Sequence, residues 1–207
     1  MQIDPAANSP ADNYKLLTNL VIPRPIAWVS SRNADGLVNL APFSFFNAVG
    51  ADPVYLIISV GQNDAGENKD TTRNIIANGE FVVNLVTEEL FDAMNISAAD
   101  FPPDQSELDA AQLASLPSVR ISVPRVAKAQ VSLECKLVST QLLGKNTLII
   151  GEVVMFHVAD ALLGPRFHIN HFAPIGRLGS PSVYCRTTDR FDVRRISYAE
   201  WLGRTPE

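Results

Sequence analysis

Short apolar runs of β type, each cut by Pro, Gly, Asn or a charge, recur along the chain: IAWVSS at 26–31, VNLAPFSFFNAV at 38–49, VYLIISV at 54–60 and FVVNLV at 81–86. Runs of this length and composition read as strands. Asp35-Gly36 between the first two is a hairpin signal, because Gly takes the positive φ of a tight turn at no steric cost. Further on, KAQVSLECKLVSTQLL and NTLIIGEVVMFHVAD are two longer β runs joined around Gly144, Lys145 and Asn146. Helical signals are fewer and shorter. Tyr14, Leu17 and Val21 recur at helical spacing with Asp12 as N-cap, and Pro23 and Pro25 stop that helix. Other helices are expected at about 71–78, closed by Gly79, at about 88–96, with Thr87 as cap and acids in the first turn, and near 197–202. Many short strands with few helices predict a mainly β protein, a barrel or sandwich with peripheral helices.

The length of 207 residues corresponds to roughly one core at ~150 residues per domain, so a single domain over 1–207 is expected. Two parts stand apart. The stretch at 99–118, with its prolines, acids and a helical pattern around Leu108 to Leu116, reads as a surface excursion that could cover a pocket. The C-terminal arm, about 177–207, is locally basic: residues 1–165 carry 10 basic and 18 acidic residues, whereas 166–207 carry 7 and 4. Such an arm fits either a solvated surface or a segment lying on a partner subunit.

Composition excludes several classes. A hydrophobic fraction of 46% and mean hydropathy of +0.07 leave ample material for a folded core. A net charge of −5 has the wrong sign for a protein that works by neutralising phosphates, so nucleic acid is not expected as a ligand. No basic segment precedes an apolar one at the N-terminus, and no run approaches ~18 apolar residues, so neither a secretory signal nor a membrane span is expected. Cys135 and Cys185 each stand alone, which argues against a disulfide framework or zinc knuckle. A cytoplasmic setting fits this combination.

Polar side chains placed inside apolar strands mark the candidate site. Pro42 interrupts VNLAPFSFF and cannot donate to a sheet ladder, so it marks an edge, a bulge or a break whose neighbours keep free amides. Backbone groups of Leu40, Ala41 and Phe43 can then face a ligand's polar rim, with Asn39, Ser44 and Asn47 as side-chain partners; a bulged edge with satisfied polar groups is the structural alternative. Ser59 precedes a loop leading to Lys69, Thr71 and Thr72 at the start of a helix, a combination of amides, hydroxyls and a cation that suits a phosphate. Asp70 could instead make this a plain capped helix.

Candidates for proton transfer, nucleophilic attack or metal binding are weak. His168 and His171 form H-x-x-H without a third ligand at a recognised spacing. His157 and Cys135 lie in apolar runs and read as packed side chains, and Ser30 and Ser31 lack a G-x-S-x-G elbow. Glu152 has no carboxylate mate. No catalytic or metal-ligating residue is assigned. A polar site without an acid-base set suits a protein whose cofactor carries the chemistry.

At YKLLTNLVIPRPIAWVSS (14–31), DGLVNLAPFSFFNAV (35–49), KDTTRNI (69–75), GEFVVNLV (79–86), GEVV (151–154) and PIGRLG followed by Tyr184, the sequence resembles the flavin reductase-like, FMN-binding split-barrel family, which includes flavoredoxin-like proteins and reductase components of two-component monooxygenases. The resemblance implies a six-stranded Greek-key split barrel, usually a homodimer, with FMN near the dimer interface. Carried over by position, Trp28, Val29, Ser30 and Ser31 would lie along the flavin. Asn39, Leu40, Ala41 and Ser44 would contact its ring and ribityl chain, and Ser59, Lys69 and Thr71 would approach its phosphate. The family commonly carries Arg-Leu-Gly-Gly where this chain has Arg177, Leu178, Gly179, Ser180 and Pro181, a loop with less backbone freedom, so Arg177 and Tyr184 are read as interface or loop residues and not as flavin contacts.

The expected activity is NAD(P)H-dependent reduction of flavin, with NADH or NADPH as transient donor and a monooxygenase or other electron acceptor as partner. The alternative is an FMN-containing electron carrier reduced by a partner protein. A cofactor-free barrel that binds protein or oligonucleotide partners is the third reading; 8% aromatic residues and the acidic balance count against oligonucleotide.

Overall fold

The computed structural model describes residues 1–203; the last four residues of the expected arm lie outside them. Helix α1 (Pro10–Leu20) precedes strands β1 (Arg24–Pro25), β2 (Ala27–Arg32), β3 (Val38–Phe43), β4 (Phe46–Ala51) and β5 (Val54–Gly61). Helix α2 (Asp70–Asn78), β6 (Glu80–Leu85), α3 (Phe91–Ile96) and α4 (Glu107–Ala110) follow. Then come β7 (Ser115–Leu116), β8 (Arg125–Val126), the long pair β9 (Val131–Leu143) and β10 (Asn146–Val158), β11 (Ile175–Arg177), β12 (Tyr184–Arg186) and α5 (Tyr198–Leu202).

Seven antiparallel strands form the main sheet in the order β3-β2-β6-β9-β10-β5-β4. The single apolar run at 38–49 therefore supplies both edges. It breaks after Pro42-Phe43, and Ser44-Phe45 is all that links one edge strand to the other. Two residues span less than ~7 Å, so the sheet must curl until its edges meet at that link, where the Phe45 carbonyl accepts the Ser59 N–H at 2.8 Å. Hydrogen bonding thus separates seven strands where the resemblance implies six. Pro42 faces Trp28 across the β2–β3 ladder and lies on an edge strand, where its missing N–H leaves no interior ladder bond unmade.

Strand β2 is buried on both faces, which is why IAWVSS reads as a nearly continuous apolar run. Ala27 and Val29 enter a core with Leu56, Ile58, Phe81, Val83 and Ile149, closed by Ile75 of α2. Ile26 and Trp28 face a second core under α3, α4 and β8, with Leu40, Leu90, Met94, Leu108 and Val126. Gly151 of β10 is required by the first core, because a Cβ there would stand 2.4 Å from Phe81 Cζ.

Local expectations fail where a neighbour competes. The cap of α1 is Ser9, whose Oγ accepts the Asp12 N–H at 3.1 Å, with Pro10 in the first turn. The helical pattern at 108–116 stops at Ala110, since Gln112 takes φ 53 and Ser115–Leu116 pairs with β8 instead. The 88–96 helix opens as a 3₁₀ turn, Glu88–Leu90, and Thr87 makes no side-chain cap bond. Gly36 and Gly79 take φ 89 and φ 72 at the expected turn and helix stop. Among the described residues, no helix is long and apolar enough to cross a membrane.

Candidate functional site

Two clefts open on either side of the Pro42-Phe43 segment, and Lys69 and Gln62 belong to both. The first, about 460 Å³, lies against the Ser44-Phe45 link. The second, about 560 Å³, lies between β3, the N-terminus of α2 and the 99–118 excursion, so that excursion does form a cleft wall, through Ala99, Asp100, Phe101, Pro103 and Glu107. Both volumes fall within the ~300–1,000 Å³ of small-molecule sites.

The first cleft is built around two arginines. Arg24 and Arg177 are cross-strand partners in the small β1-β11-β12 sheet, and both line the cleft. Arg24 is buried; its Nη1 donates to the Thr18 and Val21 carbonyls, both at 2.6 Å, and its Nε donates to Ser44 Oγ at 3.3 Å. It thereby ties the C-terminal end of α1, where a cation is favoured, to the link that closes the sheet. Arg177 donates to the Tyr184 hydroxyl and to the Pro181 carbonyl, and its guanidinium stands 4.6 Å from the Tyr184 ring centroid. The Ser180-Pro181 departure therefore leaves Arg177 in the cleft wall together with Gly179 and Ser180, while Tyr184 packs edge-on against Phe91 as its support. With Lys69, three cations and no carboxylate line this cleft among the described residues. Ser59 takes an outward position on β5, and its Oγ accepts from Asn146 Nδ2 at 3.1 Å.

The second cleft has a different electrical character. Lys69 and Arg73 meet Asp64, Glu67, Asp70, Asp100 and Glu107 there, with Lys69 3.3 Å from Asp100 and Arg73 paired to Asp70. Lys69 is the N-cap residue of α2 but makes no side-chain cap bond, so first-turn amides of this nine-residue helix remain without a side-chain cap among the described residues. Asp70 is turned to Arg73, which removes it as the expected cap.

The predicted residues separate into two sets. Asn39, Ala41 and Thr71 line the second cleft, Ser44 and Ser59 the first, and Lys69 both. Trp28, Val29, Ser30, Ser31 and Leu40 line neither: each is 0% exposed. Trp28 Nε1 donates to Ser97 Oγ at 2.8 Å, Ser30 Oγ to the Pro124 carbonyl at 2.7 Å, and Ser31 Oγ accepts from Asn74 at 3.3 Å. These side chains hold the frame of the clefts. Asn47 lies on exposed β4, away from both.

The expectation of free amides around Pro42 is corrected. The Leu40 N–H donates to Glu107 Oε2 at 2.9 Å and the Val38 carbonyl accepts from Ser106 Oγ at 2.6 Å, so the start of α4 covers the outer edge of β3. Strand alternation turns the Ala41 and Phe43 amides inward toward β2, and Pro42 has none. Arg24 and Glu107 carried too little sequence signal to be singled out; an Arg between prolines and a Glu in an acidic loop acquire meaning through distant partners.

His157 Nε2 lies 2.5 Å from Glu134 Oε1, a satisfied histidine as its apolar run implied. Burial pushes the Cys135 thiol up, consistent with a packed residue. No group of three or more metal-ligating side chains forms among the described residues.

Comparison with known proteins agrees with this architecture. The family model described as "Flavin reductase like domain" matches residues 19–195. Nitrilotriacetate monooxygenase component B from Bacillus cereus superposes with a TM-score of 0.90 at 41% identity, covering 93% of this chain and 98% of that one. A Pseudomonas fluorescens 2-nitrobenzoate 2-nitroreductase gives 0.87 at 36% identity, covering 96% and 98%. An uncharacterized protein of Aquifex aeolicus is 44% identical over 168 residues, 80% of this chain and 86% of its own length.

Proposed function

Because the chain belongs to the flavin reductase-like family, we propose that it is an FMN-binding oxidoreductase that uses NADH or NADPH to reduce flavin for an acceptor. The observation that carries this reading is the meeting of two clefts at Lys69, one cationic and one opening on the N-terminus of α2 without a side-chain cap.

The donor set fits FMN. Lys69, Thr71 and the first-turn amides of α2 hold the phosphate, with Ser59 nearby, by charge-assisted hydrogen bonds and the helix dipole. Arg24 and Arg177 give the first cleft the positive potential that stabilises negative charge on a reduced ring. Asn39, Ala41 and Ser44 follow the Pro42 segment between the two. Trp28, Val29, Ser30, Ser31 and Leu40 act from behind as the rigid wall that fixes the position of β3. When bound, a flavin would supply the hydride and electron chemistry between a nicotinamide donor and an acceptor. The chain aligns the reactants and excludes water, tasks that need no nucleophile.

Tyr14, Leu17 and Leu20 on α1 and Phe191, Trp201 and Leu202 of the arm are exposed in the single chain, which supports a homodimer that covers them. The similarity to a monooxygenase component supports an oxygenase as the acceptor.

Anaerobic mixing of the protein and FMN with NADH and then NADPH tests the activity. Loss of the visible flavin absorbance faster than with free FMN is the expected result, and the faster donor is the preferred one. A bound flavin that stays oxidised would overturn the reductase and point to a carrier reduced by another protein.

A further inference from the structure

Arg24 and Arg177 are held in the wall of the first cleft entirely by uncharged groups. Arg24 is 7% exposed and uses its Nε and Nη1 on Ser44 Oγ and the Thr18 and Val21 carbonyls, which leaves Nη2 without a hydrogen bond among the described residues. Arg177 donates from Nη1 to the Tyr184 hydroxyl and from Nη2 to the Pro181 carbonyl, so its Nε is uncommitted among the described residues. Neither arginine forms a salt bridge among those residues, and no carboxylate lines the cleft. Arg186, in the same small sheet, shows the ordinary arrangement, paired with Glu88.

Two guanidiniums on facing positions of a strand pair repel each other, and burial deepens the cost. It pushes the Arg24 guanidinium below its usual value; Tyr14 opposes this and the Arg177 charge adds to it. Beside them lies open space of about 460 Å³. An oxyanion relieves such a pair, because its oxygens match the guanidinium fork and its charge offsets the repulsion. A flavin accounts for only part of that charge: its phosphate is read above as lying at Lys69 and Thr71, and a reduced ring brings a single negative charge to face two arginines. Arg24 is the fixed member, buried behind Ser44. Arg177 is the half-buried member, at the end of β11 where the Gly179-Ser180-Pro181 loop begins.

We propose that Arg177 is a specificity-determining residue that receives an oxyanion of the reactant exchanging electrons with the flavin, with Arg24 as the second cation, so that the protein selects anionic reactants over neutral ones. The oxyanion is a phosphate of the nicotinamide donor or a carboxylate of an organic acid that accepts electrons. This rests on the reading above that a flavin occupies the first cleft.

Anaerobic reduction of the FMN-loaded full chain by NADH and by 1-benzyl-1,4-dihydronicotinamide, which has the reacting ring and no phosphate, separates the two sources. Wild type, R177Q, R177K and R186Q are compared, and benzoate and benzamide are titrated calorimetrically into each form with and without FMN. If the oxyanion is the donor's, R177Q raises the half-saturating concentration of NADH about tenfold relative to that of the phosphate-free donor, the scale of one charge-assisted hydrogen bond. If it is the acceptor's, that ratio keeps its wild-type value and R177Q weakens benzoate about tenfold relative to benzamide. R177K keeps the charge without the fork, should retain part of either preference, and carries the comparison where R177Q fails to fold. R186Q removes a charge outside the cleft and should match wild type in both ratios. An R177Q protein in which neither ratio moves would overturn the inference, any loss of rate then belonging to the flavin ring or the fold. Absence of FMN binding in every form would overturn the flavin reading, while the benzoate titration without FMN still tests the arginine pair by itself.

Discussion

Glu107 and Glu134 are both buried carboxylates that accept backbone N–H groups, and their pKa values move in opposite directions. Burial raises both. At Glu134 it is outweighed by His157 and by the Val119 and Arg120 N–H groups, each of the latter at 2.7 Å, which together hold the carboxyl below its usual range. At Glu107 the Leu40 N–H does not compensate, and Asp70 adds an unfavourable charge. The number of donors decides the outcome. Glu134 is a clamp that fixes the 117–124 loop to β9, whereas Glu107 keeps a titratable carboxyl beside a cleft.

The contrast can be broken most severely at the clamp. E134L leaves His157 and two amides without their acceptor and should cost about 3–5 kcal/mol, read as a fall in Tm of roughly 6–20 °C. Wild-type stability should also decline in acid. Because the folded pKa of Glu134 is depressed, its contribution is complete above the unfolded value of about 4.3 and is lost as pH falls through the folded value. Urea unfolding of wild type and E134L between pH 3 and 7 should therefore converge toward the acid end.

A smaller effect is expected from H157L, which removes one donor but leaves Glu134 its two amides; about 1–2 kcal/mol is lost at neutral pH. If H157L destabilises as much as E134L, the amides contribute little and the clamp is a simple ion pair. The smallest change is expected for E107Q, within about 1 kcal/mol near pH 6, since the Leu40 bond survives. Its pH dependence carries the sign opposite to that of Glu134. A folded carboxyl with a raised pKa binds more protons than the unfolded chain, so wild type loses stability as pH rises through that window, and E107Q should gain relative to it. A difference between the two that stays flat from pH 4, just below the unfolded carboxyl value of about 4.3, up to pH 8 would remove Glu107 from the titrating groups.

Much of the architecture is legible in the sequence. The runs around Ala27, Val54 and Phe81 became strands, Gly36 and Gly79 made the turn and helix stop, and Pro42 fell on an edge. The Ser9 cap was missed because Asp12 lies in the same turn and carries an equally plausible side chain. The helical pattern beyond Ala110 failed because pairing of Ser115–Leu116 with β8 competes with a short helix. At the candidate site, Lys69, Asn39, Ala41, Ser44, Ser59 and Thr71 reach the clefts, while the 26–31 run proved too well packed to do so in the single chain.

The sequence by itself determined where the chain extends, turns and stops, because alternation of side chains, the φ freedom of Gly and the missing N–H of Pro act over a few residues. Tertiary structure alone decided that one broken strand would supply both edges of the sheet, that Arg24 would face Arg177, and that Leu40 would give its amide to Glu107. Those pairings join segments far apart in the chain, and their energies come from burial and hydrogen bonds that exist only once the sheet has closed.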